Sequence, residues 1–156
     1  MKKLFLFFVL LLSACAPAEP SFPVNQYPTP FPTPTLAIIT KPMGELEKDA
    51  AREFFYHLKV HILSVEFEHT GEEVRYPITV MVDGQPKAYA YVAEFTADFN
   101  KIFSDEMIQK FGSTDESELT FTPSGVKVAD GFVWFDLICM DPACEEAEFL
   151  ITQINN

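Results

Sequence analysis

The chain has 156 residues, of which 48% are hydrophobic and 22% are charged, and its formal net charge is −12 at pH 7. From Gly44 onward the imbalance is larger, with 22 acidic and 8 basic residues and a net charge of −14 when histidines are neutral. A surface this acidic opposes binding to nucleic acid and to anionic lipid, because both need clusters of lysine and arginine. We therefore expect an acidic domain with no nucleic-acid partner.

The N-terminus has the pattern of an export signal. The basic start Met1-Lys2-Lys3 is followed by nine apolar residues, Leu4 to Leu12. This run is too short for a permanent transmembrane helix, which needs about 20 apolar residues. We predict that residues 1–14 are a signal peptide that is removed from the mature protein.

A cysteine directly follows this signal. The stretch Leu12-Ser13-Ala14-Cys15 resembles the lipobox of bacterial lipoproteins. The resemblance implies that Cys15 receives a diacylglycerol, becomes the new N-terminus and carries fatty acyl chains such as palmitate. More than one acyl chain gives stable anchoring, at about 0.8 kcal/mol per buried methylene. We expect the protein to be held outside the cytoplasm on a cell-envelope membrane, the outer membrane in a two-membrane host.

The composition changes after the lipidated cysteine. Residues 16–42 hold eight of the twelve prolines of the chain, with the stretch YPTPFPTPT at their centre. Such a segment favours polyproline II and acts as a semi-rigid spacer. We interpret residues 15–42 as the lipidated cysteine and a Pro/Thr-rich tether, and residues 43–156 as one globular domain.

The domain begins with a predicted amphipathic helix from Glu45 to about Phe67, preceded by Gly44 as its N-cap. The segment 60–68 also alternates as a strand would, so helix and strand both remain open there. His57 and His61 lie four residues apart and share one face if the segment is helical. The apolar face of the helix repeats every four residues at Leu46, Ala50, Phe54 and Leu58.

A β-hairpin and further helices are predicted next. Residues 76–82 and 87–92 have strand composition and flank Asp83-Gly84, which is typical of a tight hairpin turn. Residues 94–103 return to helical spacing with phenylalanines on one side. Ser104 can cap a following helical turn that ends at Gly112.

The last third of the domain is predicted to be strands, at residues 119–122, 126–128, 132–139 and 148–154. The element order predicts an α+β fold, with an N-terminal helix and a second helix packed on a curved antiparallel sheet of about five or six strands. The chain from Tyr76-Pro77 onward, including the stretch GFVWF at residues 131–135, resembles uncharacterised envelope proteins with the nuclear transport factor 2-like or cystatin-like cone fold. The resemblance implies a fold and no function.

Two cysteines remain after Cys15 is lipidated. Cys139 and Cys144 lie at the two ends of the connection between the last two strands. An even remainder in an exported protein predicts a disulfide, worth about 2 kcal/mol for so short a loop. A zinc site would need further ligands, and a redox pair usually has the spacing Cys-x-x-Cys, so both alternatives are weaker.

One acidic residue interrupts the apolar strand GFVWFDLIC. Strand alternation places Asp136 on the same face as Phe132 and Trp134, and we take these three as candidate residues of a ligand pocket. A half-buried carboxylate can act as a general acid or base, so Asp136 is also the one weak catalytic candidate. The alternative is a carboxylate that reaches solvent or a backbone N–H.

No catalytic motif supports an enzyme, and we predict neither a cofactor nor a metal site. We expect a binding or interaction module for an unknown protein or small molecule. The alternatives are a small hydrolase or isomerase that uses Asp136, and an envelope assembly factor. The acids near the C-terminus lack the order of a calcium-binding loop and are interpreted as a solvated rim, namely Asp136, Asp141, Glu145, Glu146 and Glu148.

Overall fold

The computed structural model of the protein describes residues 39–156. The predicted signal peptide, Cys15 and most of the predicted tether lie outside the described residues. Within residues 39–156, no helix combines the length and the apolar character needed to cross a membrane.

The first helix, α1 (Glu45–Leu63), packs one apolar face into the core. Glu47 closes its N-terminus, because its carboxylate accepts a hydrogen bond of 3.0 Å from the Gly44 backbone N–H. The acidic first turn also suits the positive end of the helix dipole. The buried side chains follow helical spacing and are Ala51, Phe55, Leu58 and Ile62.

The helix ends earlier than the sequence pattern predicts. Helix α1 stops at Leu63, and Val65 adopts a positive φ of 60°. A new helix, α2 (Phe67–Glu72), follows at once. The prediction of one continuous helix to about Phe67 is therefore wrong, because the left-handed backbone at Val65 interrupts the i to i−4 hydrogen bonds. Residues 60–68 contain no strand.

The predicted β-hairpin is confirmed. Strands β1 (Ile78–Val82) and β2 (Gln85–Tyr89) pair antiparallel. Asp83 and Gly84 between them have positive φ values of 52° and 75°, as a two-residue hairpin turn with the right twist requires. Strand β1 buries every second side chain, whereas β2 is exposed along most of its length.

The segment predicted as one helix from Glu94 to Phe103 is broken in two. Helices α3 (Val92–Ala97) and α4 (Phe99–Ile102) are separated by Asp98. Helix α5 (Asp105–Ser113) then begins at the predicted cap, where Ser104 Oγ accepts a hydrogen bond of 3.3 Å from the Met107 N–H. The break places the Asp98 side chain against the hairpin, where it finds charged partners.

Four further strands form a second antiparallel sheet in consecutive order: β3 (Thr120–Thr122), β4 (Gly125–Val128), β5 (Val133–Cys139) and β6 (Ala147–Ile154). The predicted α+β class with antiparallel strands is confirmed. Within residues 39–156 the strands divide between a two-stranded and a four-stranded sheet, whereas one curved sheet of about five or six strands was predicted.

A segment ahead of α1 completes one edge of β5. Strand β4 pairs with β5 only as far as Phe135. Beyond that point residues 39–41 take its place: the Cys139 N–H donates to the Ile39 carbonyl at 3.1 Å, and the Lys41 N–H donates to the Leu137 carbonyl at 3.3 Å. The folded region therefore includes residues from the end of the predicted tether.

The free edge of β6 is covered in a similar way by the segment after α2. The Ile151 N–H donates to the Glu73 carbonyl at 2.7 Å, and the Arg75 N–H donates to the Ile151 carbonyl at 2.9 Å. These bonds satisfy backbone groups that would otherwise lie open at the edge. They also join the α2 region to the four-stranded sheet.

Helix α1 and the four-stranded sheet share an aromatic core. The Phe54 ring lies 4.9 Å from the Phe135 ring and 5.6 Å from the Phe149 ring, measured between centroids. A second aromatic group belongs to the hairpin and the short helices. Its buried members are Tyr89, Phe95, Phe99 and Phe103.

The loop between β5 and β6 is closed as predicted. Cys139 and Cys144 form a disulfide, with their Cα atoms 4.8 Å apart. Inside the loop the Asp141 carboxylate accepts hydrogen bonds of 2.7 Å from the backbone N–H groups of Ala143 and Glu146. These backbone donors hold the pKa of Asp141 below its ordinary value, and the hydrogen bond from Glu146 has the largest effect. Asp141 is thus engaged in shaping its own loop.

Candidate functional site

A notch lies at the point where the edge of β5 passes from β4 to the segment 39–41. We call this cavity of about 440 Å³ the Asp136 notch. It exists because two short pairing segments meet the same long strand without touching end to end. Its lining residues are Thr40, Lys41, Pro42, Met43, Lys48, Phe121, Thr122, Pro123 and Asp136.

Asp136 is the buried carboxylate of this notch, with 6% of its surface exposed. One of its oxygens accepts a hydrogen bond of 2.8 Å from the Leu137 N–H. Alternate N–H groups of a strand point to the same edge, and the N–H of Leu137 falls in the gap between the two pairing segments. The Asp136 carboxylate therefore supplies the acceptor that a neighbouring strand would otherwise provide. Among residues 39–156 the second oxygen of Asp136 has no hydrogen-bond partner.

The environment of Asp136 disfavours ionisation of its carboxyl group. Burial raises the pKa of Asp136, and the hydrogen bond from Leu137 offsets only part of that rise. Burial acts in this direction because it removes water from the charged form. A ligand that brought a positive charge or a hydrogen-bond donor to the second oxygen would lower the pKa again.

Gly125 lets β4 approach the notch closely. Its φ is +112°, and a Cβ at this position would lie 2.7 Å from the Phe135 carbonyl oxygen and 3.5 Å from the carboxyl carbon of Asp136. The Gly125 carbonyl in turn accepts a hydrogen bond of 2.8 Å from Thr122 Oγ1. A side chain at position 125 would push against the strand and the carboxylate together.

The cationic groups that line the notch have partners outside it. Lys41 Nζ lies 3.1 Å from a carboxylate oxygen of Glu47, and Lys48 Nζ lies 2.7 Å from one of Glu45. Lys48 also lies over the Phe121 ring, 5.9 Å from its centroid. Neither lysine bonds Asp136, so the second oxygen of that carboxylate remains open to a ligand.

The three residues predicted to share a pocket do not line one cavity. The lining of the Asp136 notch includes neither Phe132 nor Trp134. Phe132 instead borders a separate hollow beside α5, together with Lys110 and Asp130. Trp134 is half-buried and lies next to Gly131. Asp136 and Phe132 therefore border different cavities.

A second carboxylate, which the sequence analysis did not single out, gathers several partners. Lys87 Nζ bonds Asp98 Oδ2, Tyr89 OH donates to the same oxygen at 3.1 Å, and Lys101 Nζ lies 3.0 Å from Oδ1. The hydrogen bonds from Lys87 and Lys101 lower the pKa of Asp98 to about 2. Burial and the bond to Asp98 raise the pKa of Tyr89 to about 12. The only sequence signal was an acid inside an apolar helical pattern.

The carboxylate partners of His61 and His69 lie outside helix α1. His61 Nδ1 lies 3.2 Å from a carboxylate oxygen of Glu73, and His69 Nδ1 lies 3.3 Å from one of Glu66. The His61 and His69 rings stack with centroids 5.2 Å apart. Burial raises the pKa of Glu73, and its bond to His61 opposes that rise. Across residues 39–156, no group of three or more His, Cys, Asp or Glu side chains has the geometry to hold a metal ion.

Comparison with known proteins adds no relative: no family model matches the chain, and searches of curated proteins and of solved structures find no match either. The chemistry of the site must be judged from its own residues. A single buried carboxylate with an open oxygen can accept a hydrogen bond or a positive charge, whereas catalysis usually needs several groups in mutual reach.

Proposed function

We propose that the protein is a lipoprotein anchored outside the cytoplasm, whose domain acts as a binding module. The anchor is supported by the signal pattern, by Cys15 in its lipobox-like context and by the proline-rich tether. The Cys139–Cys144 disulfide supports an oxidising compartment, because the cytosol keeps thiols reduced.

One observation carries the binding role: the Asp136 notch holds a nearly buried carboxylate with an open oxygen. Solvent reaches this oxygen, since the buried side-chain atoms without a partner among residues 39–156 are Thr70 Oγ1 and Glu73 Oε2. A ligand donor would therefore replace water there with a charge-assisted hydrogen bond. A cavity of about 440 Å³ falls in the size range of small-molecule sites. The ligand class that fits carries an ammonium or N–H group at its inner end.

We extend the proposal to the fold family. Helices packed against a four-stranded antiparallel sheet, with a hairpin beside it, support the nuclear transport factor 2-like or cystatin-like cone. In such a fold a cavity beside the sheet is a natural ligand position.

The anchor is tested in the full chain. We expect the wild-type protein to incorporate labelled palmitate and to enter the detergent phase, and Cys15→Ser to lose both properties. Cys144→Ser is the control, since it removes a cysteine elsewhere in the chain, opens the disulfide and should keep the label. A Cys15→Ser variant that still carries palmitate would contradict the lipidation.

The compartment is tested by the state of the thiols. Protein isolated from cells and unfolded without reductant should take up no alkylating reagent at Cys139 and Cys144. Uptake of two equivalents would show that the pair is reduced in the cell, and the proposed location would then be wrong.

The binding role is tested by amide NMR, with ethylammonium and propionate as probes. Ethylammonium should shift the Leu137 amide resonance saturably in the wild type and not in Asp136→Asn, while propionate should leave it unchanged. Asp83→Asn makes the same exchange in the exposed hairpin turn and should behave as the wild type. An ethylammonium shift that survives in Asp136→Asn would contradict the proposal.

A catalytic role is the second candidate, because burial raises the pKa of Asp136 and a carboxyl group with a raised pKa can serve as a general acid or base. A ligand co-purified with the wild type, identified by native mass spectrometry, should be converted by the wild type and not by Asp136→Asn if this role is correct. Binding of that ligand without its conversion would contradict the catalytic role and agree with a binding module. A third candidate, an envelope assembly factor, predicts co-purification with an envelope complex after mild detergent extraction, and the exposed apolar residues of α1 favour it.

A further inference from the structure

Helix α1 is apolar on a second, solvent-facing side. Tyr56, Val60 and Leu63 are 55%, 40% and 44% exposed. Their spacing of four and three residues places them in one stripe along the helix. Isolated exposed apolar residues are common, but three that are adjacent on one face form a patch.

The stripe is one wall of a groove. The cavity measures about 240 Å³ and is bordered by the stripe, by Lys59 and by Asp115 and Glu116, which follow α5. Phe55, which is fully buried, lies at its base. A space of this size accepts one large apolar side chain. The opposite wall is polar and acidic.

The rim of the groove carries negative charge. Hydrogen bonds from Ser117 hold the pKa of Asp115 below its ordinary value, so this carboxylate is ionised at neutral pH. Lys59 also lines the groove: its Nζ donates to the Thr114 carbonyl at 2.8 Å, lies 5.9 Å from the centroid of the Phe55 ring, and contributes a charge that helps to lower the pKa of Asp115. Two carboxylates against one ammonium leave the rim with a net negative charge.

The chain next to the stripe has a strained backbone. Val65 adopts φ 60° although it is β-branched, and its side chain is 46% exposed. The left-handed region is unfavourable for such a residue. The Val65 N–H donates to the Ile62 carbonyl at 3.2 Å and the Glu66 N–H to the His61 carbonyl at 2.9 Å, so this conformation closes the C-terminus of α1. It marks the end of the same apolar surface.

We propose that this α1 groove docks a polypeptide segment that presents an apolar side chain flanked by lysine or arginine. The apolar wall would bury the anchor, and the acids at positions 115 and 116 would face the basic flanks. A second copy of this chain fits less well, because it brings another domain of net charge −14 and the same acidic rim. An anionic membrane surface is opposed by the same charge. The inference does not depend on the Asp136 notch.

The test uses a synthetic amphipathic peptide of about 18 residues, long enough to be helical, with leucines on one face and lysines elsewhere. A peptide with glutamate in place of lysine is the negative control. Binding to the full chain in detergent is measured by fluorescence anisotropy in about 0.15 M salt, where screening acts beyond about 8 Å. We expect saturable binding of the lysine peptide alone.

Matched variants separate the groove from general attraction. Val60→Ser and Glu116→Lys should each weaken binding by at least about fivefold, because they remove the apolar contact and reverse a rim charge. Met81→Ser removes a similarly exposed apolar side chain from the hairpin, and Glu68→Lys makes the same charge change on α2. Both controls should stay within about twofold of the wild type.

Three outcomes would overturn the proposal. Equal weakening by Glu116→Lys and Glu68→Lys would show attraction to net charge only. Self-association that Val60→Ser abolishes would identify a second copy as the occupant. The third outcome uses the unlipidated Cys15→Ser variant. If this variant binds phosphatidylglycerol vesicles, and adding Val60→Ser reduces that binding, the occupant is a membrane surface. If the Val60→Ser variant does not fold, Tyr56→Ser replaces it, and the same loss of peptide binding is expected.

Discussion

Two aspartates of this domain are almost equally buried and yet have opposite electrostatic environments. Asp98 is 9% exposed and receives two lysines and a tyrosine, which lower its pKa to about 2. Asp136 is 6% exposed and receives one backbone N–H, so burial dominates and its pKa is raised. The hydrogen-bond partners of each carboxylate, together with its desolvation, set the direction of its pKa shift.

The difference separates a structural acid from a candidate site. Asp98 links strand β2 to the break between α3 and α4, and both of its oxygens are engaged. Asp136 keeps one oxygen open inside a cavity. A carboxylate with both oxygens bonded has little to offer a ligand, whereas an oxygen open to a cavity can exchange water for a ligand donor.

The largest expected effect on stability concerns strand β4 where it approaches Asp136. Gly125→Ala should lower the free energy of unfolding by about 1–3 kcal/mol, because it strains a positive φ and pushes a methyl group against the Phe135 carbonyl. Urea unfolding measures the change. Gly84→Ala is the control, since its φ of +75° is strained too but its Cβ would meet nothing within 4 Å. Equal losses in the two variants would show that the close approach at Gly125 is unimportant.

The next effect tests Asp98 as a structural acid. Asp98→Asn should lower the melting temperature by several degrees at neutral pH, because Lys87 and Lys101 lose their shared ionised acceptor. Asp136→Asn should change the free energy of unfolding by less than about 1 kcal/mol under the same conditions. Thermal unfolding followed by circular dichroism measures both. The comparison between the two acids fails if they are equally sensitive.

The pH dependence of stability should differ in sign between the two acids. The pKa of Asp98 is lower in the folded state, about 2 against an ordinary value of 3.8, so its contribution is present above the ordinary value and is lost as pH falls toward 2. Asp98→Asn should therefore flatten the acid limb of a stability curve. For Asp136 the folded pKa is raised, so its favourable contribution is present below the unfolded pKa and is lost as pH rises through the folded one. An unchanged acid limb in Asp98→Asn would contradict this assignment.

The smallest effect is a spectroscopic one. The Leu137 amide donates to Asp136, so its NMR resonance should titrate with a midpoint above the ordinary aspartate value of 3.8. Asp136→Asn should remove this titration and leave the rest of the amide spectrum nearly unchanged. A midpoint below 3.8 would mean that the carboxylate has a partner that stabilises its charge.

Local patterns predicted much of the fold. Asp83-Gly84 specified the hairpin turn, because both positions tolerate a positive φ. Ser104 specified the start of α5, because a hydroxyl can accept the free N–H of the first turn. The compartment argument and two cysteines flanking one loop predicted the disulfide. Each of these features depends on residues close together in the chain.

The misses have a common origin. No Gly or Pro marks the end of α1, yet the helix stops at Leu63, and Val65 adopts the left-handed conformation. The helix after the hairpin breaks at Asp98, whose side chain bonds Lys87 of strand β2. The local preference to continue a helix is worth well under about 1 kcal/mol per residue, so the cap at Val65 and the contact of Asp98 with the hairpin can override it.

The sequence by itself determined the α+β order of elements, the turn and cap positions, and the presence of one acid within an apolar strand. It also carries the predicted anchor, which depends on Cys15 and its neighbours alone. Only the tertiary structure decided that Asp98 would gather cations, that Asp136 would keep an open oxygen, and that Phe132 would lie elsewhere. The reason is that a side chain's partners depend on strand register and on where distant segments end, which local periodicity does not encode.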